Sequence, residues 1–493
     1  MPTFFLLIAI LLPLAGGSLL WLIRPLGRRT VRIAALGITV LTSALVWGLI
    51  LTCPEENFRV TRLAADLEVI LRLDGPGRFF AGILATLWPL TVLYALSYME
   101  GEPRQRSFFC FFTLSYAVSL GVAMAGNLFT LYFNYEMLTL ATVPLVLHSM
   151  TREAVKATRT YLLYSLGGAA FAFASMIFLI AAGAGGSFTF GGLLKTVPYG
   201  RPELVRIFYV IGFFGFGVKA TVFPLHSWLP KASVAPTPVT ALLHAVAVVK
   251  AGAFAVIRLT WYCFGPELLR GTWAQYLPLC FACITVVYGS VMALKQGHLK
   301  RRLAYSTVSN LSYILLGALL MTPAGLAAGL VHMAAHACIK ILAFFCAGAL
   351  MKRADAVYHR DLSGLGRRMP FTVACFTVSG LALTGIPLFS GFISKWQLLT
   401  ACADQGTWAA WLGAGALLIS ALLTAMYMLT PACRAFFPGR DRQGKKAAPQ
   451  GASLREADWR MSLPHGILAA GCLVMGCWAQ PILDAAARIA GLT

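Results

Sequence analysis

Apolar residues in this chain fall in blocks of about twenty, repeated along nearly its whole length. Twenty helical residues rise roughly 30 Å, the thickness of the hydrocarbon core of a bilayer. A chain made of such blocks is a bundle of membrane-spanning helices. Composition agrees, with 59% hydrophobic and 12% charged residues, about half the charge of a soluble domain. A soluble enzyme, a disordered chain and a disulfide scaffold are excluded. An outer-membrane barrel is excluded too, because its strands alternate apolar and polar residues. The blocks number fourteen, at 3–23, 30–53, 76–98, 108–126, 128–150, 159–183, 203–224, 236–262, 273–295, 302–320, 324–351, 371–400, 407–433 and 463–486. The expected fold is therefore an all-α polytopic membrane protein of about 14 transmembrane helices.

The formal charge of +22, from 40 basic and 18 acidic residues, would suggest nucleic acid in a soluble chain. Here it follows from topology. Loops on one side carry 26 basic residues, among them Arg24, Lys231, Lys300, Arg301, Arg302, Arg440 and Lys445. The other side carries ten, among them Arg59, Arg72, Arg78, Lys195, Arg258 and Arg488. The richer side is cytoplasmic by the positive-inside rule, which puts both termini outward and the chain in the cell (inner or plasma) membrane. The opening Met-Pro-Thr has no basic n-region, so the first block reads as a membrane helix rather than a cleaved signal. Cys280 and Cys283 form a lone C-x-x-C inside an apolar block and read as small buried residues. Neither a P-loop nor a nucleotide fingerprint is present. No cofactor and no metal are expected in this chain.

Four basic residues belong to neither set of loops: Lys219, Lys250, Lys340 and Lys395 lie inside apolar blocks. One acid joins them, Glu136, in LYFNYEMLTLATVPL. An ionised group at mid-bilayer costs about 2.5–3.5 kcal/mol or more, so such groups face a wet interior and partner one another. A single static Glu–Lys pair would fix packing, but four lysines leave cation that one acid does not neutralise. Buried amines with a nearby carboxylate are suited to exchanging protons. His332, His336 and Lys340 follow at i, i+4 and i+8, on one helix face over about 12 Å. Steps of about 6 Å need water or hydroxyl groups between them. Two histidines so spaced also suit zinc, but no third ligand is evident. His244, six residues before Lys250, is an accessory candidate, and His226 in FPLHSWLPK is either that or a capped loop residue.

Two blocks carry a proline near their lysine, Pro224 after Lys219 and Pro387 before Lys395. A mid-span proline frees backbone carbonyls, which is tolerated only beside protein or water. Broken helices at matching places in two halves point to inverted repeats. The expected organisation is 1–100 (three N-terminal helices), 108–262 (first five-helix repeat), 273–433 (second, inverted) and 434–493 (cytoplasmic loop and last helix), with helices 7 and 12 broken.

The runs NYEMLTL, GVKATVFPLHSWLPKASVAPTPVTALLHAVAVVKAG, LKRRLAYSTVSNLSY, HMAAHACIKILAFFCAG and GIPLFSGFISKW resemble the antiporter-like subunits of the complex I superfamily. That superfamily includes complex I, Mrp-type antiporters and membrane-bound energy-converting hydrogenases. The resemblance covers roughly 75–433 and implies a fourteen-helix bundle with two inverted five-helix repeats. It implies that Glu136 is the fifth-helix glutamate, Lys219 the lysine of broken helix seven and Lys250 the bridging lysine of helix eight. His332, His336 and Lys340 correspond to the central relay, and Lys395 to the lysine of broken helix twelve. Ser233 departs from the pattern, since many relatives have histidine there. The chain stops soon after helix fourteen, as in the shorter members.

The expected function is that of a proton-translocating subunit of a multisubunit complex of hydrogenase, Mrp or complex I type. Glu136 would set the charge on Lys219, and protons would pass through Lys250 to His332, His336 and Lys340 and leave through Lys395. The alternatives are a redox subunit holding quinone or a metal cofactor, and a static scaffold. Expected partners are other membrane subunits, related antiporter-like subunits among them, with hydrogenase-like or NADH- or ferredoxin-linked peripheral subunits beyond, and the lipid bilayer; nucleic acid is not one. Lys395→Met is expected to abolish transport, and Lys395→Glu to retain part of it.

Overall fold

A computed structural model describes residues 3–23, 27–64, 67–194, 197–437 and 456–492. Arg24, Lys195 and the basic residues between 440 and 455 lie outside the described residues, as does most of the expected cytoplasmic loop. The chain is almost entirely helical, and helix covers part or all of every apolar block. Nine described helices are long and apolar enough to cross a membrane, or ten if one bent pair is a single span. The other blocks fall short for physical reasons. Leu128–Val146 carries Asn134 and Glu136, Leu299–Leu319 opens on Lys-Arg-Arg, and the blocks around Pro224 and Pro387 are interrupted.

Side-chain caps fix several starts. Asp74 accepts from the Gly77 amide, Asn127 from Thr130, Thr151 from Ala154, Thr322 from Gly325 and Thr407 from Ala410. Each satisfies one amide that the first helical turn leaves free. The bundle is graded from rim to centre. In Phe4–Leu22 and Arg28–Thr52, 33% of the most apolar window is buried, whereas in Thr237–Phe264 and Pro323–Ala354 all of it is. A helix apolar on every side and wholly enclosed is a core helix; those two are the axis of the molecule.

The interruptions are more numerous than expected. Pro202–Gly217 ends before Lys219, and regular helix resumes only at Trp228–Ala232. Pro370–Thr384 and Ser390–Gln405 flank Pro387. A third break, between Thr237–Ala245 and Val248–Arg258, has no proline to announce it, and Val248–Arg258 continues as a π-helical turn, Leu259–Phe264. The last block is also divided, into Trp459–Cys477 and Gln480–Ile489, bent by 72°. A Cβ at Gly252 would strike the backbone of Lys219 and Ala220, so the missing side chain lets the helix carrying Lys250 press onto the break carrying Lys219. The expectation of helix alone is corrected at 58–71. There Phe58–Ala64 pairs antiparallel with Leu67–Leu71, and Leu71 bridges to Ala125. Short alternation in FRVTRLA is a strand signal that a reading by hydropathy alone passes over as charged loop.

Candidate functional site

Along the axis the described buried bases are Lys219, Lys250, Arg258, Lys300, Arg302, Lys340 and Lys395. This corrects the expectation that only four basic residues enter the interior. Lys300 and Arg302 belong not to a solvated loop but to the first turn of Leu299–Leu319. Lys300 donates to the carbonyl of Ala235 at 2.8 Å, and Arg302 to those of Gln296 and Tyr427, both at 2.9 Å. Arg258 belongs with them although it was counted among the outer loops. It grips Asp74 (2.6 Å) and lies 4.7 Å from the Phe188 and Tyr262 rings. The signal was present, since Arg258 lies within the apolar block 236–262.

Lys219 stands in the first break, wholly buried. Its ammonium lies 3.3 Å from the centre of the Tyr135 ring, donates to the Tyr135 carbonyl, and is 3.4 Å from Glu136 Oε1. Glu136 is not enclosed: its side chain is 21% exposed on the perimeter of the chain.

Lys250 lies just past the third break, with its Nζ 3.0 Å from Nδ1 of His336. The two histidine rings, His336 and His332, are 5.8 Å apart and nearly parallel, at 17°. Nδ1 of His332 meets the hydroxyl of Ser394 at 2.9 Å, and Ser394 is the neighbour of Lys395. Lys395 donates to the carbonyls of Leu383 (2.7 Å) and Thr384 (2.9 Å), which end the preceding half-helix, and lies 5.6 Å from the Tyr313 ring. An ammonium has three N–H donors and a neutral amine two plus a lone pair, so two accepting carbonyls suit both forms of this side chain.

Lys340 does not lie between the histidines and Lys395. It bonds the carbonyl of Leu303 (3.1 Å) and the hydroxyl of Ser306, at the other end of its helix face. The spatial order is Lys250, His336, His332, Ser394 and Lys395, with Lys340 branching off beyond His336 toward Lys300 and Arg302. His244 is fully buried, 5.1 Å from the Phe344 ring, and neither ring nitrogen has a hydrogen-bond partner among the described residues. His226 sits in an aromatic box of Phe223, Tyr288 and Tyr305 and bonds none of the other candidates. Nε2 of His332, Nε2 of His336 and Oδ1 of Asn310 are likewise buried without protein partners. Ser306, Ser394, Tyr135 and Tyr313 were not foreseen. Hydroxyls and rings are common in membrane helices, and nothing local marks these as different.

Residues 125–424 match the family described as NADH:quinone oxidoreductase/Mrp antiporter, transmembrane. The chain is 32% identical over 420 residues to NADH-quinone oxidoreductase subunit N of Desulforudis audaxviator, covering 82% of this chain and 81% of that one. It is 28% identical over 426 residues to subunit L of Mycobacterium tuberculosis, covering 84% of this chain and 65% of that longer relative. A structural likeness covers 99% of this chain and 97% of a chain of an archaeal membrane-bound sulfane sulfur reductase, with a TM-score of 0.85 at 24% identity. That likeness shows a shared fold.

Proposed function

The chain belongs to the NADH:quinone oxidoreductase/Mrp antiporter family of transmembrane subunits, and from that premise we propose that it carries protons across the membrane along its line of buried side chains. The observation that carries this reading is the direct contact of Lys250 with His336. It joins the break that holds Lys219 to the helix face that leads, through His332 and Ser394, to Lys395. Lys250–His336 and His332–Ser394 are hydrogen bonds, and the two histidine rings between them stand 5.8 Å apart, a gap that one water can bridge. Water is needed in any case, because a buried polar atom left unpaired costs about 1–3 kcal/mol and several such atoms line this path.

In this reading Glu136 holds Lys219 charged, and a charge presented from outside the perimeter alters that hold. Loss of the pair frees the proton on Lys219 for Lys250, and it moves through His336 and His332 to Lys395. Lys340, with Ser306, is a branch that exchanges with the side of Lys300 and Arg302, a change from the linear order expected of the sequence. His226 and His244 have no bonded place in it. We read 108–262 and 273–433 as inverted five-helix units in a fourteen-helix bundle. In support, each contains a broken helix whose lysine lies beside a tyrosine ring. With basic loops inside, both termini face outward and the membrane is the plasma membrane. Partners are further membrane subunits, with Glu136 turned toward one of them, and a hydrogenase-like or NADH-linked module beyond them.

Proton flux in proteoliposomes holding the whole complex tests the line. His336→Ala and Lys250→Met should each remove flux from a normally assembled complex. Undiminished flux in both overturns the reading.

A further inference from the structure

A groove of about 1230 Å³ runs down the flank of the bundle, apart from the lysine line. It is larger than the roughly 300–1,000 Å³ of small-molecule sites. Arg72, Arg78 and Arg488 line one end of it with Glu55 and the buried Asp74, and beyond them the walls are apolar, with Trp47, Phe79, Ile83, Leu90, Ile467 and Val474 among them. The trough has the depth of one leaflet. From Arg78 to Leu90 a helix rises about 18 Å, against about 15 Å for half a hydrocarbon core. Ala334 and Cys338 of the central helix line it as well. The bent terminal helix Gln480–Ile489 supplies Ile482, Ala485, Arg488 and Ile489 to the groove.

Charge at that end is not balanced from within. Asp74 is taken by Arg258, and Glu55 lies 3.6 Å from Arg78. Arg72 bonds only the carbonyl of Phe188, at 3.2 Å, and neither Arg72 nor Arg488 has a carboxylate in ion-pair range among the described residues. The Nε atoms of Arg72 and Arg78 are buried without a hydrogen-bond partner among the described residues. These arginines also belong to the side poorer in basic residues, so the positive-inside rule does not account for them. Unpaired cations above an apolar trough one leaflet deep call for an amphiphile with an anionic head.

We propose that this groove binds an anionic phospholipid, its phosphate held by Arg72, Arg78 and Arg488 and its acyl chains lying along the apolar walls. The lipid then lies against the bent terminal helix, which itself packs on the central helix.

The test is lipid retention by the full chain, purified with its co-purifying subunits after exposure to equal phosphatidylglycerol and phosphatidylcholine, and read by native mass spectrometry. Phosphatidylglycerol should be retained in preference. The combined Arg72→Gln and Arg488→Gln variant should lower its retention about tenfold, as loss of charge-assisted bonds implies. Arg488 is exposed, so Arg488→Gln alone should lower retention without a folding defect. Ile83→Trp, which fills the trough and spares the arginines, should lower it too. Glycerol phosphate without chains should not displace the lipid. Equal retention by parent and arginine variants, indifference to headgroup charge, displacement by glycerol phosphate, or a cross-link from position 83 to a neighbouring subunit's helix would each overturn the proposal.

Discussion

The two broken helices hold their lysines in different ways. At both breaks a lysine lies beside a tyrosine ring, Lys219 at Tyr135 and Lys395 at Tyr313. At the first, the residue after the tyrosine is Glu136, an acid at the perimeter; at the second it is Ile314, fully buried. The helix ends differ to match. The carbonyl of Phe216, near the end of the first half-helix, is satisfied by the Tyr135 hydroxyl at 3.1 Å. At the second break the last carbonyls are satisfied by Lys395 itself. The partial negative charge of a helix C-terminus favours a cation, but it is fixed. Glu136 can be paired elsewhere or repelled. One lysine thus has a partner that can change, and the other a cradle that cannot. In the proposed reading, the first break is the one switched from outside and the second the one that exchanges at a constant setting.

The largest effect expected at the first break is from Lys219→Ala, which should eliminate proton flux because no other described amine faces Glu136. Glu136→Gln should do less. A pair at 3.4 Å is worth on the order of 5 kcal/mol at an effective dielectric of 20, yet Lys219 keeps the Tyr135 carbonyl and ring. Flux is expected to fall at least about tenfold without vanishing. Equal losses in the two variants would break the comparison, since Glu136 would then do more than set the charge on Lys219. At the second break the structure reverses an expectation drawn from sequence. Lys395→Glu should not retain transport, because a carboxylate there faces two carbonyls and the negative end of a helix. The quantity of assembled complex in the membrane, measured by blue-native gel, should fall with it; normal assembly and partial flux would show that the cradle is not fixed. The smallest effect is Ser394→Ala. It removes one hydrogen bond to His332, worth about 1 kcal/mol, and should slow flux roughly fivefold while leaving assembly unchanged.

The helical membrane character, of which nine or ten described helices are long and apolar enough to be spans, both proline breaks and the burial of Lys219, Lys250, Lys340 and Lys395 were legible in the sequence, because a proline or a charge stands out in an apolar block. The helix-face spacing of His332 and His336 was legible for the same reason. What was not legible was which group meets which. Lys340 follows His336 in sequence, yet it turns to Leu303 and Ser306, because helix register says nothing about which neighbour packs on which turn. The break before Lys250 was hidden as well: TALLHAVAVVKAG reads as continuous helix, and only tertiary packing bends it. The pairing of Asp74 with Arg258 is not legible either, because Asp74 lies between two apolar blocks and Arg258 near the end of another. A capping acid and a base one turn inside a span are as buried as any residue at mid-membrane once a neighbouring helix covers them.

Lys395→Met in the intact complex is the most direct measurement, because it removes the exchanging group of the fixed cradle and leaves everything at the switchable break in place. Proton flux into proteoliposomes should be lost while the complex assembles normally and the Glu136–Lys219 pair remains. The opposite expectation is that removing an unpaired buried cation is neutral or stabilising. A well-assembled Lys395→Met complex that moves protons at the parental rate would contradict the account and leave Lys395 as a helix cap.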